Sequence, residues 1–296
     1  MEASDTFIHT LRIYFFKVGT TLETNIKNGQ IPSAPLQDTP LQNILLTVSY
    51  DGTNFCGWQR QTKAGLETYR SVAGEIEKTI EKILKQKTKL YGSGRTDSGV
   101  HARGQIANFL SPIQSMECRN YVQALNSMLP SDIRITRAEK VPLDFNARFN
   151  SVSRTYRYFC NCKEFAPATE LRYAWNIRSL PNIITLNRMA NCLHGEMDFT
   201  SFAASGDKSK SKNRYIESAH FFMQNELLVF EITANAFLWR MVRSLVGTML
   251  ELEKKGFNEN DFENILNARD RKQASFTAPP QGLFLWHVSY RYSSTS

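Results

Sequence analysis

The stretch YGSGRTDSGVHARGQIANF, Tyr91 to Phe109, holds glycines at Gly92, Gly94, Gly99 and Gly104, an Arg95-Thr96-Asp97 triplet and one histidine, His101. Strand composition flanks it at Lys89–Ser93 and Gln105–Leu110, so the middle must turn. Thr96-Asp97-Ser98-Gly99 has the chemistry of a turn, because an aspartate side chain caps its own turn and glycine accepts positive φ. Outward from this corner, Val72, Ile76, Ile80, Ile83 and Leu84 fall on one face of a helix over Val72–Leu84. A second helix is expected over Met116–Met128, stopped near Pro130. Asn43–Tyr50 reads as a strand closed by the turn dipeptide Asp51-Gly52, and Ile133–Val141 alternates as another. The order strand, helix, strand, strand, helix, strand is that of a split βαβ, ferredoxin-like unit.

A similar order follows. Arg154–Cys162 has strand composition, and Ile183–Leu193 places Leu186, Met189, Ala190 and Leu193 on one helical face. Tyr215–Met223 and Leu227–Thr233 form a hairpin over Gln224-Asn225, Leu238–Leu252 is an apolar helix, and Leu283–Tyr292 is a final strand. The chain is therefore α+β, with two similar halves, 43–150 and 151–296, joined in one sheet and meeting at a cleft where a ligand would lie. Residues 1–42 form an N-terminal extension of unknown role. Within it, Phe7–Val18 is apolar but short and follows acids at Glu2 and Asp5, unlike a secretory signal or an organellar presequence. A polar linker, Thr20–Gln42, carries Pro32, Pro35 and Pro40.

The 296 residues are 42% hydrophobic and 22% charged, enough to bury a core, and the net charge of +8 favours a polyanionic partner, nucleic acid ahead of membrane. The five cysteines are odd in number and scattered, which points to reduced thiols and a reducing, cytoplasmic compartment. Cys160-Asn-Cys162 lacks the spacing of a zinc knuckle and reads as two strand positions on one face. No apolar run reaches the length of a membrane span. The loop Ser205–Arg214, SGDKSKSKNR, is either a solvated loop or an arm that grips phosphates with Lys208, Lys210 and Lys212.

Four readings of the opening stretch compete on residue chemistry. A phosphate cradle lacks the third glycine, the lysine and the following helix. A metal loop built on Asp97 and His101 needs ligands from elsewhere, and a lone histidine is more often a structural one. An ordinary hairpin corner accounts for the turn residues. A nucleophilic carboxylate needs Asp97 to be fixed and ionised in a partly dry cleft, with glycines that admit a substrate closely.

The segment Arg95-Thr-Asp-Ser-Gly-Val-His-Ala102 resembles the R-T-D-x-G-V-H-A motif of the tRNA pseudouridine synthase A (TruA) family. Further motifs follow in family order: Tyr50-Asp-Gly-Thr-Asn-Phe55, Gly57-Trp-Gln-Arg-Gln61, Leu125-Asn126 with Leu129-Pro130 and Asp132-Ile133, Phe145-Asn-Ala-Arg-Phe149, Arg154-Thr-Tyr-Arg-Tyr158, Asp198-Phe-Thr-Ser-Phe202, Ala234-Asn-Ala-Phe-Leu238, Met241-Val-Arg243 and Ala278-Pro-Pro-Gln-Gly-Leu283. The resemblance spans about Asn43 to Tyr292. It implies two ferredoxin-like (RRM-like) halves in one continuous antiparallel sheet around a basic cleft, a homodimer with tRNA as partner, and no cofactor and no metal. The implied activity is isomerisation of uridine to pseudouridine in the anticodon stem-loop, tRNA positions 38–40.

Residue by residue, the resemblance makes Asp97 the nucleophile, Tyr156 the active-site tyrosine that also stacks on the base, and Arg243 the partner of Asp97. Leu283 becomes an apolar contact under the target base. Arg95, His101, Lys208, Lys210 and Lys212 are expected on the substrate side. Arg70-Ser-Val-Ala-Gly74 departs from the family's T-V-Q-G, and Trp239-Arg240 stands where many relatives carry histidine or other residues. A same-fold synthase with broader RNA targets, a non-catalytic RNA-binding protein and a metal-dependent hydrolase are the alternatives.

Overall fold

A computed structural model describes residues 40–63, 66, 67 and 69–292; the readings of Phe7–Val18 and of most of the following linker lie outside them. From Leu41 onward the chain is one compact unit. In chain order its strands are β1 (Gln42–Tyr50), β2 (Thr62–Lys63), β3 (Leu66–Glu67), β4 (Tyr91–Gly92), β5 (His101–Ser111), β6 (Ile133–Val141), β7 (Ser151–Asn161), β8 (Trp175–Asn176), β9 (Gly195–Asp198), β10 (Asn213–Gln224), β11 (Leu227–Ala234) and β12 (Leu283–Tyr290). The helices are α1 (Val72–Leu84), α2 (Cys118–Met128), α3 (Ile183–Asn191), α4 (Met241–Lys254) and α5 (Glu259–Ala268).

Ten strands form one sheet in the order β6-β1-β5-β12-β7-β11-β10-β9, with β4 added on β5 and β8 on β7. The expectation of an antiparallel sheet needs correcting at its centre. There β5 and β12 run parallel, pairing Phe284 with His101 and Leu285 with Ala102. Both strands set out from the same edge, β5 from the Asp97 corner and β12 from the turn at Pro280–Gly282, so they share a direction. The strand β8 also lies parallel to β7.

Local chemistry explains most elements. The Ser71 hydroxyl accepts the Gly74 N–H to start α1, and Lys85 ends it in the left-handed region. Asn225, at φ 53°, turns the β10–β11 hairpin at the expected place. Alternation on β7 puts Tyr156, Tyr158 and Cys160 on the buried face. Cys160 lies in β7 and Cys162 one residue beyond its end, both as free thiols.

Two boundaries differ from expectation for tertiary reasons. Strand β5 begins at His101 rather than Gln105, because its first residues pair with β12 far along the chain. Helix α4 begins at Met241 rather than Leu238, because Arg240 takes φ 61° and throws Trp239 outward. Helix α5 was not foreseen, although Asn258 and Asp261 make a reciprocal capping box at its start.

Candidate active site

The corner between β4 and β5 is gripped from outside. Loop Phe55–Trp58 lies along it: Trp58 N–H donates to the Thr96 carbonyl at 3.2 Å, and Ser98 Oγ donates to the Phe55 carbonyl at 3.2 Å. The Thr96 hydroxyl bonds the Tyr50 hydroxyl at 2.8 Å inside the core. Val100 N–H closes the turn on the Asp97 carbonyl, and Gly99 takes φ +76° as the turn requires. Gly57, at φ +111°, has no room for a side chain: a Cβ there would stand 2.4 Å from the Thr96 carbonyl oxygen. Asp97 is thus projected from a backbone fixed on both sides.

Its carboxylate meets two donors, one from the first turn of α4 and one from the residue just ahead of its cap. Arg243 Nη1 lies 3.4 Å from Asp97 Oδ2, and Trp239 Nε1–H donates to Oδ1 at 2.9 Å. The Arg243 guanidinium is itself held, Nε donating to the Ala278 carbonyl at 2.7 Å. Burial lowers the Arg243 pKa and the Asp97 charge opposes the fall, so the pair sits in a partly dry setting. The side chain of Asp97 keeps 23% of its surface exposed, enough for a substrate to reach it.

Tyr156, on β7, is buried with its ring edge-on to Phe237, centroids 5.0 Å apart. Burial pushes its phenol pKa up, the Asp97 charge pushes it further, and Arg154 opposes both, so the phenol keeps its proton at neutral pH. Leu283 begins β12 opposite Tyr158, almost fully buried, and Tyr158 Oη donates to the Pro279 carbonyl at 2.8 Å. Asp97, Arg243 and Tyr156 are therefore brought together from three separate stretches of chain, and Leu283 lies on β12 beside Tyr158.

The remaining expected contacts fall elsewhere. Arg95 is exposed beside Asp97 and makes no ion pair among the described residues. His101 is fully buried: Nδ1 accepts the Gly52 N–H at 3.0 Å, the ring stacks on Phe284 at 4.6 Å, and Tyr173 packs edge-on. It cannot touch a substrate, and burial lowers its pKa. Lys208 and Lys210 are exposed, as an RNA-gripping arm requires. Lys212 is not available for that role, because its ammonium pairs with Asp207 Oδ1 at 2.5 Å. Trp239, Asp207, Thr96 and Tyr50 belong to the site without having been assigned to it from sequence. Only Trp239 left a signal, as a departure from the family pattern.

Among the described residues no cluster of histidine, cysteine and carboxylate side chains could hold a metal ion. The family model for tRNA pseudouridine synthase matches residues 46–150 and 189–291. The chain belongs to this family. It is 56% identical over 249 residues to tRNA pseudouridine synthase A of Treponema denticola, covering 84% of this chain and 93% of that one. The corresponding enzyme of Treponema pallidum is 52% identical over 232 residues, covering 78% and 83%. That of Caldicellulosiruptor saccharolyticus is 39% identical over 250 residues, covering 84% and 100%. The protein is accordingly an isomerase that forms pseudouridine in tRNA. No helix among the described residues is long and apolar enough to cross a membrane.

Proposed function

We propose that Asp97 is the nucleophile of this pseudouridine synthase and that its target uridines lie in the anticodon stem-loop. The observation that carries the reading is the pairing of Asp97 with Arg243 at 3.4 Å, a carboxylate oriented by a partly buried guanidinium and still open to solvent on one side. The reaction breaks the N1–C1′ bond of uridine, turns the uracil and joins C5 to C1′; C5 loses a proton and the freed N1 gains one. Atoms and electrons therefore balance within one nucleotide. The target base must leave its stack at a cost of about a few kcal/mol, which phosphate contacts offset.

Tyr156 is suited first to stacking on the flipped uracil and then to proton handling. Its phenol is held protonated partly by the Asp97 charge. Leu283 supplies the apolar floor under the base, and Arg95 with Lys208 and Lys210 supplies phosphate contacts at the rim.

The wider assembly follows the family: two ferredoxin-like halves, residues 43–150 and 151–296, enclosing a basic cleft, and a cytoplasmic homodimer across which one tRNA reaches. The test of the site is Asp97→Asn, assayed with purified tRNA by chromatographic separation of its nucleosides. Pseudouridine should not form. Formation at the rate of the unsubstituted enzyme would remove Asp97 as nucleophile.

A further inference from the structure

Trp239 stands at the mouth of the site with its indole N–H on Asp97 and its ring 43% exposed. Its backbone is held as firmly as its side chain. Trp239 N–H donates to Asp207 Oδ2 at 2.7 Å, and the Trp239 carbonyl accepts the Ala204 N–H at 3.0 Å. Asp207 is locked in turn by Lys212 and by the Ser209 N–H at 2.9 Å. Burial alone would raise the Asp207 pKa, but Lys212 and these N–H donors hold it far below the ordinary carboxylate range. Gly206 leaves the space for the indole, since a Cβ there would meet the ring at 2.8 Å. Arg240, in the left-handed region, covers the ring at 4.8 Å from its centroid. The outcome is a chain of contacts running from Lys212 through Asp207 and Trp239 to the Asp97 carboxylate.

We infer that Trp239 is a positioning residue for Asp97, fixing Oδ1 while Arg243 holds Oδ2, and that the 204–212 loop keeps Trp239 in place for this purpose. The inference rests on the reading of Asp97 as the nucleophile. A carboxylate with one donor can rotate about its terminal bond; with a donor on each oxygen its plane is fixed. Fixing the attacking group removes orientational freedom before the reaction, which lowers the barrier without changing how tightly tRNA binds. The same loop carries exposed Lys208 and Lys210, so a tRNA backbone that engages them also presses on the element that aligns the nucleophile.

The test compares Trp239→Phe, Trp239→His, Asp207→Asn, Asp207→Ala and Asp97→Asn in steady-state and single-turnover assays, with thermal melts of each. Phenylalanine keeps an aromatic ring and removes the donor. Histidine restores it, since imidazole Nε2 sits at the same place in its five-membered ring as Nε1 does in the indole. Trp239→Phe should lower kcat on the order of ten-fold or more, the worth of a hydrogen bond to a charged group, with KM little changed. Trp239→His should recover most of the loss. Asp207→Ala should lower kcat similarly, and the Trp239→Phe/Asp207→Ala double variant should lose less than the product of the two, because both act along one chain. Asp207→Asn keeps an acceptor for the Trp239 N–H and should fall between, which guards against Asp207→Ala failing to fold.

A raised KM with unchanged kcat in Trp239→Phe would make Trp239 a tRNA contact and overturn the inference. So would an equal loss in the phenylalanine and histidine variants. Asp97→Asn separates the two readings. If it is inactive while Trp239→Phe is fully active, only the positioning role fails; if it is active, the nucleophile assignment fails and the positioning role with it.

Discussion

Gly57→Ala tests whether the Asp97 corner is as rigid as its contacts make it. Gly57 abuts Thr96, the residue before Asp97. An alanine Cβ at this position would lie 2.4 Å from the Thr96 carbonyl oxygen, where ordinary contact begins near 3.4 Å. Something must move by about 1 Å. The glycine side cannot yield easily, because the Gly57 and Trp58 carbonyls accept the Val72 and Ala73 N–H groups at the start of α1. The Thr96 side is pinned by Tyr50 but borders the open site, so the strain is relieved by shifting Asp97 off Arg243 and Trp239. A misplacement of about 1 Å at a reacting group costs about a hundred-fold in rate. Forcing alanine to φ +111° costs a further 1–3 kcal/mol or so of stability, visible as a lower melting temperature. Single-turnover pseudouridine formation at saturating enzyme, run well below the melting point, isolates the first effect. A folded Gly57→Ala protein reacting at the unsubstituted rate would refute the claim that this backbone contact sets the position of Asp97.

Two further outcomes follow from charge. Replacing Lys208 and Lys210 with alanine should weaken tRNA binding and lower the slope of log affinity against log salt by about 1 to 2, as each lost phosphate contact contributes about 0.7–0.9; filter binding across a salt series measures it. Thermal stability should fall in two stages on acidification. His101 is buried next to Asp51, Arg172 and Tyr173, and its lowered folded pKa means its contribution is complete above the unfolded value near 6.5 and is lost as pH falls below it. Burial alone would raise the Asp51 pKa, but hydrogen bonds from Thr53, Tyr173 and Arg172 bring it to about 2, so its contribution is present above about 4 and lost as pH drops toward 2. In His101→Asn, whose amide oxygen can still accept the Gly52 N–H, the first stage should vanish from a pH series of melts while the second stays.

The contrast between Asp97 and His101, four residues apart, shows what the sequence could disclose. The corner that carries Asp97 was legible because its turn is local, with Gly99 at positive φ and a motif within eight residues, whereas the donors to its carboxylate come from Trp239 and Arg243. His101 depends on Phe284, brought in by the parallel β5–β12 pairing, and on Gly52 and Tyr173 from two other stretches, none of which a local pattern announces. Lys212 was misread for a related reason, since its charge is satisfied by Asp207 only when the loop doubles back. Helix α1 was drawn correctly because its apolar stripe and Ser71 cap are contained in its own residues. Helix α4 was begun too early because the demand on Trp239 comes from Asp97, more than a hundred residues upstream. Arg243 was placed on Asp97 only by resemblance to the family; its spacing from the motif carries no such information.

The β5–β12 seam also bears on when the enzyme can first act. A polypeptide leaving the ribosome displays the Asp97 corner early, but Trp239, Arg243 and Leu283 emerge far later, and β12 last among the described strands. Ala278, whose carbonyl holds Arg243, stands only a few residues ahead of β12, so that contact can form only when the last part of the described chain is present. A nascent chain therefore carries the Asp97 carboxylate without its Trp239 and Arg243 donors for most of its synthesis.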